Sequence, residues 1–69
     1  MFMTFGKMVK ELRLEKDLTQ AQLGAKLNLT DGAVRMWETQ GVEPSFAIVI
    51  ELAKIFDVTV GQLLGVEEY

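Results

Sequence analysis

The residues able to do chemistry in this 69-residue chain are few and of one kind. There is no His and no Cys. That removes the commonest general base, the thiolate nucleophile and the commonest metal ligands. The neighbouring carboxylates, Glu15 with Asp17 and Glu67 with Glu68, lie in polar stretches and read as solvated, not as a catalytic pair. There is no Gly-rich phosphate loop. No catalytic residue, metal ligand, cofactor or small-molecule substrate is expected, and the chain reads as a non-enzyme. What remains is hydrogen-bonding chemistry at helix ends. Thr19 with Gln22, and Thr59 with Gln62, have the spacing of a capping box, in which the hydroxyl accepts from the third helical N–H and the Gln reaches back. Thr30 is a further N-cap.

These caps punctuate a chain whose apolar residues recur at helical spacing. A first helix is expected over 5–16, with Phe5, Met8, Val9 and Leu12 on one face and Asp17 ending it. A second starts after Thr19, points Leu23 and Leu27 inward and stops at Asn28, a residue that tolerates the left-handed conformation. A third runs from 31 to about 39, with Val34 and Trp37 facing the core. Residues 40–44 form a loop around Gly41 and Pro44. A fourth runs from after Ser45 to 56. A short fifth runs from after Thr59 to about 64, Gly65 stops it, and 65–69 form a tail. The expectation is a single all-α domain over 1–69.

Composition sets limits on this domain. Hydrophobic residues make up 49% of the chain, enough for a packed core, but a core of this size yields only a few kcal/mol of net stability. No apolar stretch approaches the roughly 18–20 residues of a membrane span, and the N-terminus lacks the features of a signal peptide. A soluble cytoplasmic protein with no membrane partner is expected. Net charge is −3 and unevenly spread. Residues 1–16 hold Lys7, Lys10, Arg13 and Lys16 against two acids, and read as a solvated face. Residues 41–69 hold only Lys54 against Glu43, Glu51, Asp57, Glu67 and Glu68.

The short turn between the second and third helices carries the functional reading. So tight a turn forces the helices to cross steeply. The crossing needs small residues, which Gly24 and Ala25 supply. It also needs a positive-φ corner at Asn28 and a buried aliphatic residue at Val34. These are the demands of a helix-turn-helix over 19–39, which holds its second helix proud of the surface so that its first side chains enter a DNA major groove.

Several separated segments in one register then resemble a known family. They are 18–23 (LTQAQL), 27–30 (LNLT), 34–38 (VRMWE), 44–45 (PS), 52–54 (LAK) and 57–64 (DVTVGQLL). Together they are similar to the lambda-repressor-like, Cro/repressor-type (XRE-like) DNA-binding domain, from about 5 to 64 without a gap. The resemblance implies a compact five-helix fold and a sequence-specific regulator of transcription, a repressor, that binds double-stranded DNA. It implies that Gln20 and Thr30 contact phosphates, that Asp31, Gly32, Ala33 and Met36 occupy base-reading positions, and that Thr39 and Gln40 make a further backbone contact. Those positions depart from the Gln, Arg, Ser or Asn common in the family. Asp31 can accept from a cytosine amino group, Gly32 offers no side chain, and Ala33 and Met36 suit thymine methyl groups. Arg35 is the one strong donor on the helix. In place of the family's usual Ala, Gly24 costs the second helix roughly 1 kcal/mol of propensity.

Two readings stay open from sequence. One is DNA binding as a homodimer. The other is a protein-interaction module of the same fold, antitoxin-like or an accessory subunit, which the acidic net charge favours. The fourth helix bears on both, since Phe46, Ile48, Val49, Ile50, Leu52, Ala53, Ile55 and Phe56 span more than a core-facing stripe. Either neighbouring helices wrap it on most sides, or part of it, with Val58, Val60, Leu64, Val66 and Tyr69, is a self-association surface.

Overall fold

In the computed structural model, residues 4–68 are described; Met1, Phe2, Met3 and Tyr69 lie outside them. Five helices follow in order: α1 (Phe5–Glu15), α2 (Gln20–Lys26), α3 (Asp31–Gln40), α4 (Phe46–Phe56) and α5 (Val60–Leu63). Each opens on a hydroxyl cap, from Thr4, Thr19, Thr30, Ser45 and Thr59 in turn. Both capping boxes form in full: Thr19 Oγ1 accepts from Gln22 N–H at 3.0 Å, and Thr19 N–H donates to Gln22 Oε1 at 2.8 Å.

Three helix ends are closed by one device. Asp17, Asn28 and Asp57 have φ of 56°, 57° and 56°. After each, an apolar residue donates its N–H back into the helix just ended: Leu18 to the Arg13 carbonyl at 3.0 Å, Leu29 to Gly24 at 2.8 Å, Val58 to Ala53 at 3.0 Å. This six-to-one closure satisfies carbonyls the helix end leaves open. A Thr cap then starts the next helix at once. The three connectors, Asp17-Leu18-Thr19, Asn28-Leu29-Thr30 and Asp57-Val58-Thr59, are one tripeptide design in three places. The α3–α4 connection is longer, and Gly41 opens it in the left-handed region at φ 70°.

One fully buried side chain from each helix meets at the centre: Val9, Leu23, Val34, Leu52 and Leu63. Burying each is worth about 1.5–3 kcal/mol. Phe5 and Trp37 pack edge to face, with ring centroids 6.4 Å apart. Beside them α1 lies directly on the end of α3, and a Cβ on Gly6 would collide with the Trp37 carbonyl oxygen. The crossing of α2 and α3 is equally close. A Cβ on Gly24 would sit 2.8 Å from the Thr30 carbonyl oxygen and 2.9 Å from that of Leu29. Gly24 alone makes this approach; Ala25, expected to share it, is exposed.

The wide apolar arc of α4 divides. Val49, Leu52, Ala53 and Phe56 are buried, and Ile48 and Ile55 pack against the core from its edge. Phe46 and Ile50 spill onto the surface, Phe46 at 81% exposure. Residues 66–68 are not a loose tail. Val66 N–H donates to the Gly61 carbonyl at 3.0 Å, Thr59 Oγ1 bonds Glu67, and the Gln62 amide donates to the Glu68 carbonyl at 3.1 Å. No helix among the described residues is long and apolar enough to cross a membrane.

Candidate functional site

The site is the outer face of α3 with the start of α2 beside it. At about 100° per residue, Asp31, Gly32, Arg35, Met36 and Thr39 fall within an arc of about 140°. Val34 and Trp37 fall on the opposite side, and both are buried. The inner stripe fixes the rotation of α3, so the outer stripe faces solvent. Asp31, Arg35, Thr39 and Gln40 are exposed, and Met36 is 41% exposed, a large apolar side chain left in water. Ala33 sits at the edge of the stripe. It is half-buried and packs against the core, so its methyl belongs largely to the interior.

The N-terminal end of α3 is tightly built. Thr30 Oγ1 accepts from Ala33 N–H at 3.3 Å. The cap leaves the first helical N–H groups without intrahelical partners. Asp31 in this first turn complements the helix dipole. At the other end the Thr39 hydroxyl donates to the Arg35 carbonyl at 2.8 Å, which turns it back onto its own helix.

Gln20 has a defined orientation from a source that sequence reading missed. Its Nε2 donates to Glu38 Oε1 at 3.1 Å. Glu38 is also gripped by Arg13, whose Nε and Nη2 reach its two oxygens at 2.8 and 3.0 Å. Arg13 Nη1 donates to the Leu18 carbonyl at 2.8 Å. The side chains of Arg13 and Glu38 are 9% and 2% exposed. Arg13 is therefore a buried tie between α1, the α1–α2 connector and α3, not part of a solvated basic face. Every buried polar side-chain atom among the described residues has a partner. The sequence did carry a signal: Arg13 stands four residues after Val9 and next to Leu12, at the border of the buried face of α1. Gln20, on α2, is thereby held beside α3.

Charge across this surface is balanced. Between residues 20 and 40, Lys26 and Arg35 stand against Asp31 and Glu38, and Glu38 is neutralised by Arg13. The surface is therefore a polar stripe with one free guanidinium, not a basic track.

Known proteins share both sequence and shape. A family model described as helix-turn-helix matches residues 9–63. The HTH-type transcriptional activator BcrR of Enterococcus faecalis is 35% identical over 66 residues, covering 96% of this chain and 32% of that protein. The HTH-type transcriptional regulator ImmR of Bacillus subtilis is 29% identical over 66 residues, covering 96% of this chain and 52% of that protein. The chain thus spans about a third to a half of these curated relatives. Among solved structures, the P22 c2 repressor in complex with synthetic operator 9T aligns with a TM-score of 0.85 at 23% identity, covering 94% of this chain and 98% of that one. The fold is accordingly the lambda-repressor-like one. With its caps, its close α2–α3 crossing and its outward α3 face in the positions that this architecture requires, the chain belongs to the helix-turn-helix family.

Proposed function

We propose that this chain is a cytoplasmic, sequence-specific, duplex-DNA-binding regulator of transcription, a repressor that acts as a homodimer and is not an enzyme. Each protomer lays α3 in a major groove. The observation that carries the reading is the outer stripe of α3. It is free of the core, starts at a capped helix N-terminus and is held in rotation by Val34 and Trp37. Such a helix fits a groove about 12 Å wide. Gln20 and Thr30 contact phosphates on one side of the groove, with Gln40 on the other, joined by Thr39 once its hydroxyl leaves the Arg35 carbonyl. Asp31, Arg35 and Met36 face base edges, and Ala33 lends only the margin of its methyl group. Gly32 admits close approach. Two protomers one helical turn apart on the duplex read a palindrome, as two-fold symmetry favours. The relatives support the regulatory role, being named as transcriptional regulators themselves.

The test is titration of labelled random duplex at about 50 and 200 mM salt. Counting Lys7 and Lys10 of both protomers as phosphate neighbours, log affinity should fall with log salt at a slope of about −4. That fourfold rise in salt then weakens binding roughly 150- to 250-fold. Absence of binding at the lower salt rejects this reading. It leaves the protein-interaction module, the alternative favoured by the net charge of −3.

A further inference from the structure

Arg35 is the charged side chain of α3 that has a defined place and no ionic partner. A Cβ built on Gly32 would lie 3.8 Å from Arg35 Nη2 and 3.6 Å from Thr30 Oγ1. The guanidinium therefore turns back along the helix, across the space that a side chain at position 32 would fill, to the capped end. Helical side chains lean toward the N-terminus, so a residue at i+3 covers position i. With Gly at 32, no side chain at that position shares the space beside the Arg35 guanidinium.

Two observations mark this placement. A cation near a helix N-terminus opposes the helix dipole, so the helix itself does not hold it there. Nor does an ion pair: among the described residues the ion pairs are Arg13–Glu38 and Glu51–Lys54. Asp31, four residues before Arg35, does not pair with it. The fork stands at the leading end of α3 with its donors open.

We infer that Arg35, projected over Gly32, is the specificity-determining residue of α3 and that it reads guanine. The inference rests on the DNA-binding reading above. A planar guanidinium matches the O6 and N7 acceptors that guanine presents in the major groove, a pattern no other base offers there. Phosphate is the competing ligand for a guanidinium, and Asp31 in the same turn repels it. Asp31 instead accepts from the amino group of a cytosine close to that guanine. Gly32 contributes by its emptiness, since a larger residue would take the Arg35 path.

The experiment is selection of bound sequences from a random duplex library, run on the wild-type chain and on Arg35→Gln and Gly32→Gln. Arg35 is exposed, Gly32 is half-buried, and a Cβ at 32 meets only ordinary contact distances, so both variants should fold; circular dichroism checks this. The wild type should fix a guanine in each half-site. Arg35→Gln removes the guanidinium fork, and should lower the preference for that guanine by about 5- to 150-fold while leaving the salt slope unchanged, since Arg35 faces a base and not a phosphate. Gly32→Gln should weaken the same preference. A guanine retained by Arg35→Gln, or a wild-type site with no fixed guanine, overturns the inference. DNA binding without sequence preference overturns it too, yet leaves the DNA-binding reading standing. No binding at low salt removes both.

Discussion

Replacing Arg13 by Met should bring this domain close to unfolding. Met preserves most of the buried stem but removes both charged hydrogen bonds to Glu38 and the bond to the Leu18 carbonyl. Glu38, with its side chain 2% exposed, keeps the hydrogen bond from the Gln20 amide. Breaking a buried pair from one side costs about 3–5 kcal/mol, because an uncompensated charge stays behind. A chain of 69 residues has about 3–10 kcal/mol in total at the usual stability per residue. The variant therefore loses between a third and all of its stability. The double variant Arg13→Met with Glu38→Met removes both charges and should recover most of the loss, since apolar replacement of a whole buried pair is often nearly neutral. Urea unfolding followed by Trp37 fluorescence and circular dichroism reads both. With m near 1 kcal/mol per molar, the single variant shifts the midpoint by about 3 M or more. The reasoning fails if either single variant costs under about 1 kcal/mol, the value of an exposed pair. It also fails if the two single costs simply add in the double variant.

Three further outcomes test the α2–α3 crossing and its connector. Gly24→Ala should destabilise by about 1 kcal/mol in urea, because crowding the Leu29 and Thr30 carbonyls costs about 1–3 kcal/mol and outweighs a helix-propensity gain of about 1. Asn28→Ala should cost about 1 kcal/mol, because Ala resists the left-handed conformation at φ 57°. Asn28→Gly should be neutral or mildly stabilising in the same measurement.

The scaffold was largely legible because its signals are local. Thr19 with Gln22, Thr59 with Gln62, and Asn28 act through atoms three to six residues away, and the spacing alone specifies them. Val34 and Trp37 read correctly as core because helical period is local too. The misreadings involve contacts across the fold. Arg13 looks like any surface cation until Glu38, 25 positions later, is placed opposite it. Gly24 and Ala25 read alike as small residues of the crossing, and only the Thr30 carbonyl seen against Gly24 shows that Ala25, exposed, has no share in it. Gly6 carries no sequence signal at all, since its reason is the Trp37 carbonyl. On the outer face of α3, residue types gave the chemistry of each position but not its direction. Only the fold shows Ala33 turning inward and Arg35 reaching over Gly32.

The three tripeptide connectors bear on how such a surface can change over evolutionary time. Each joint is closed by its own backbone bond and capped within one residue, so none works as a hinge. Under the proposed function, the α2–α3 pair would meet a duplex at an angle already set before contact. New binding preferences cannot then arise by tilting α3. They must come from exchanging side chains on its outer stripe, while the longer segment after Gly41, at the far end of that helix, absorbs insertions without re-aiming it.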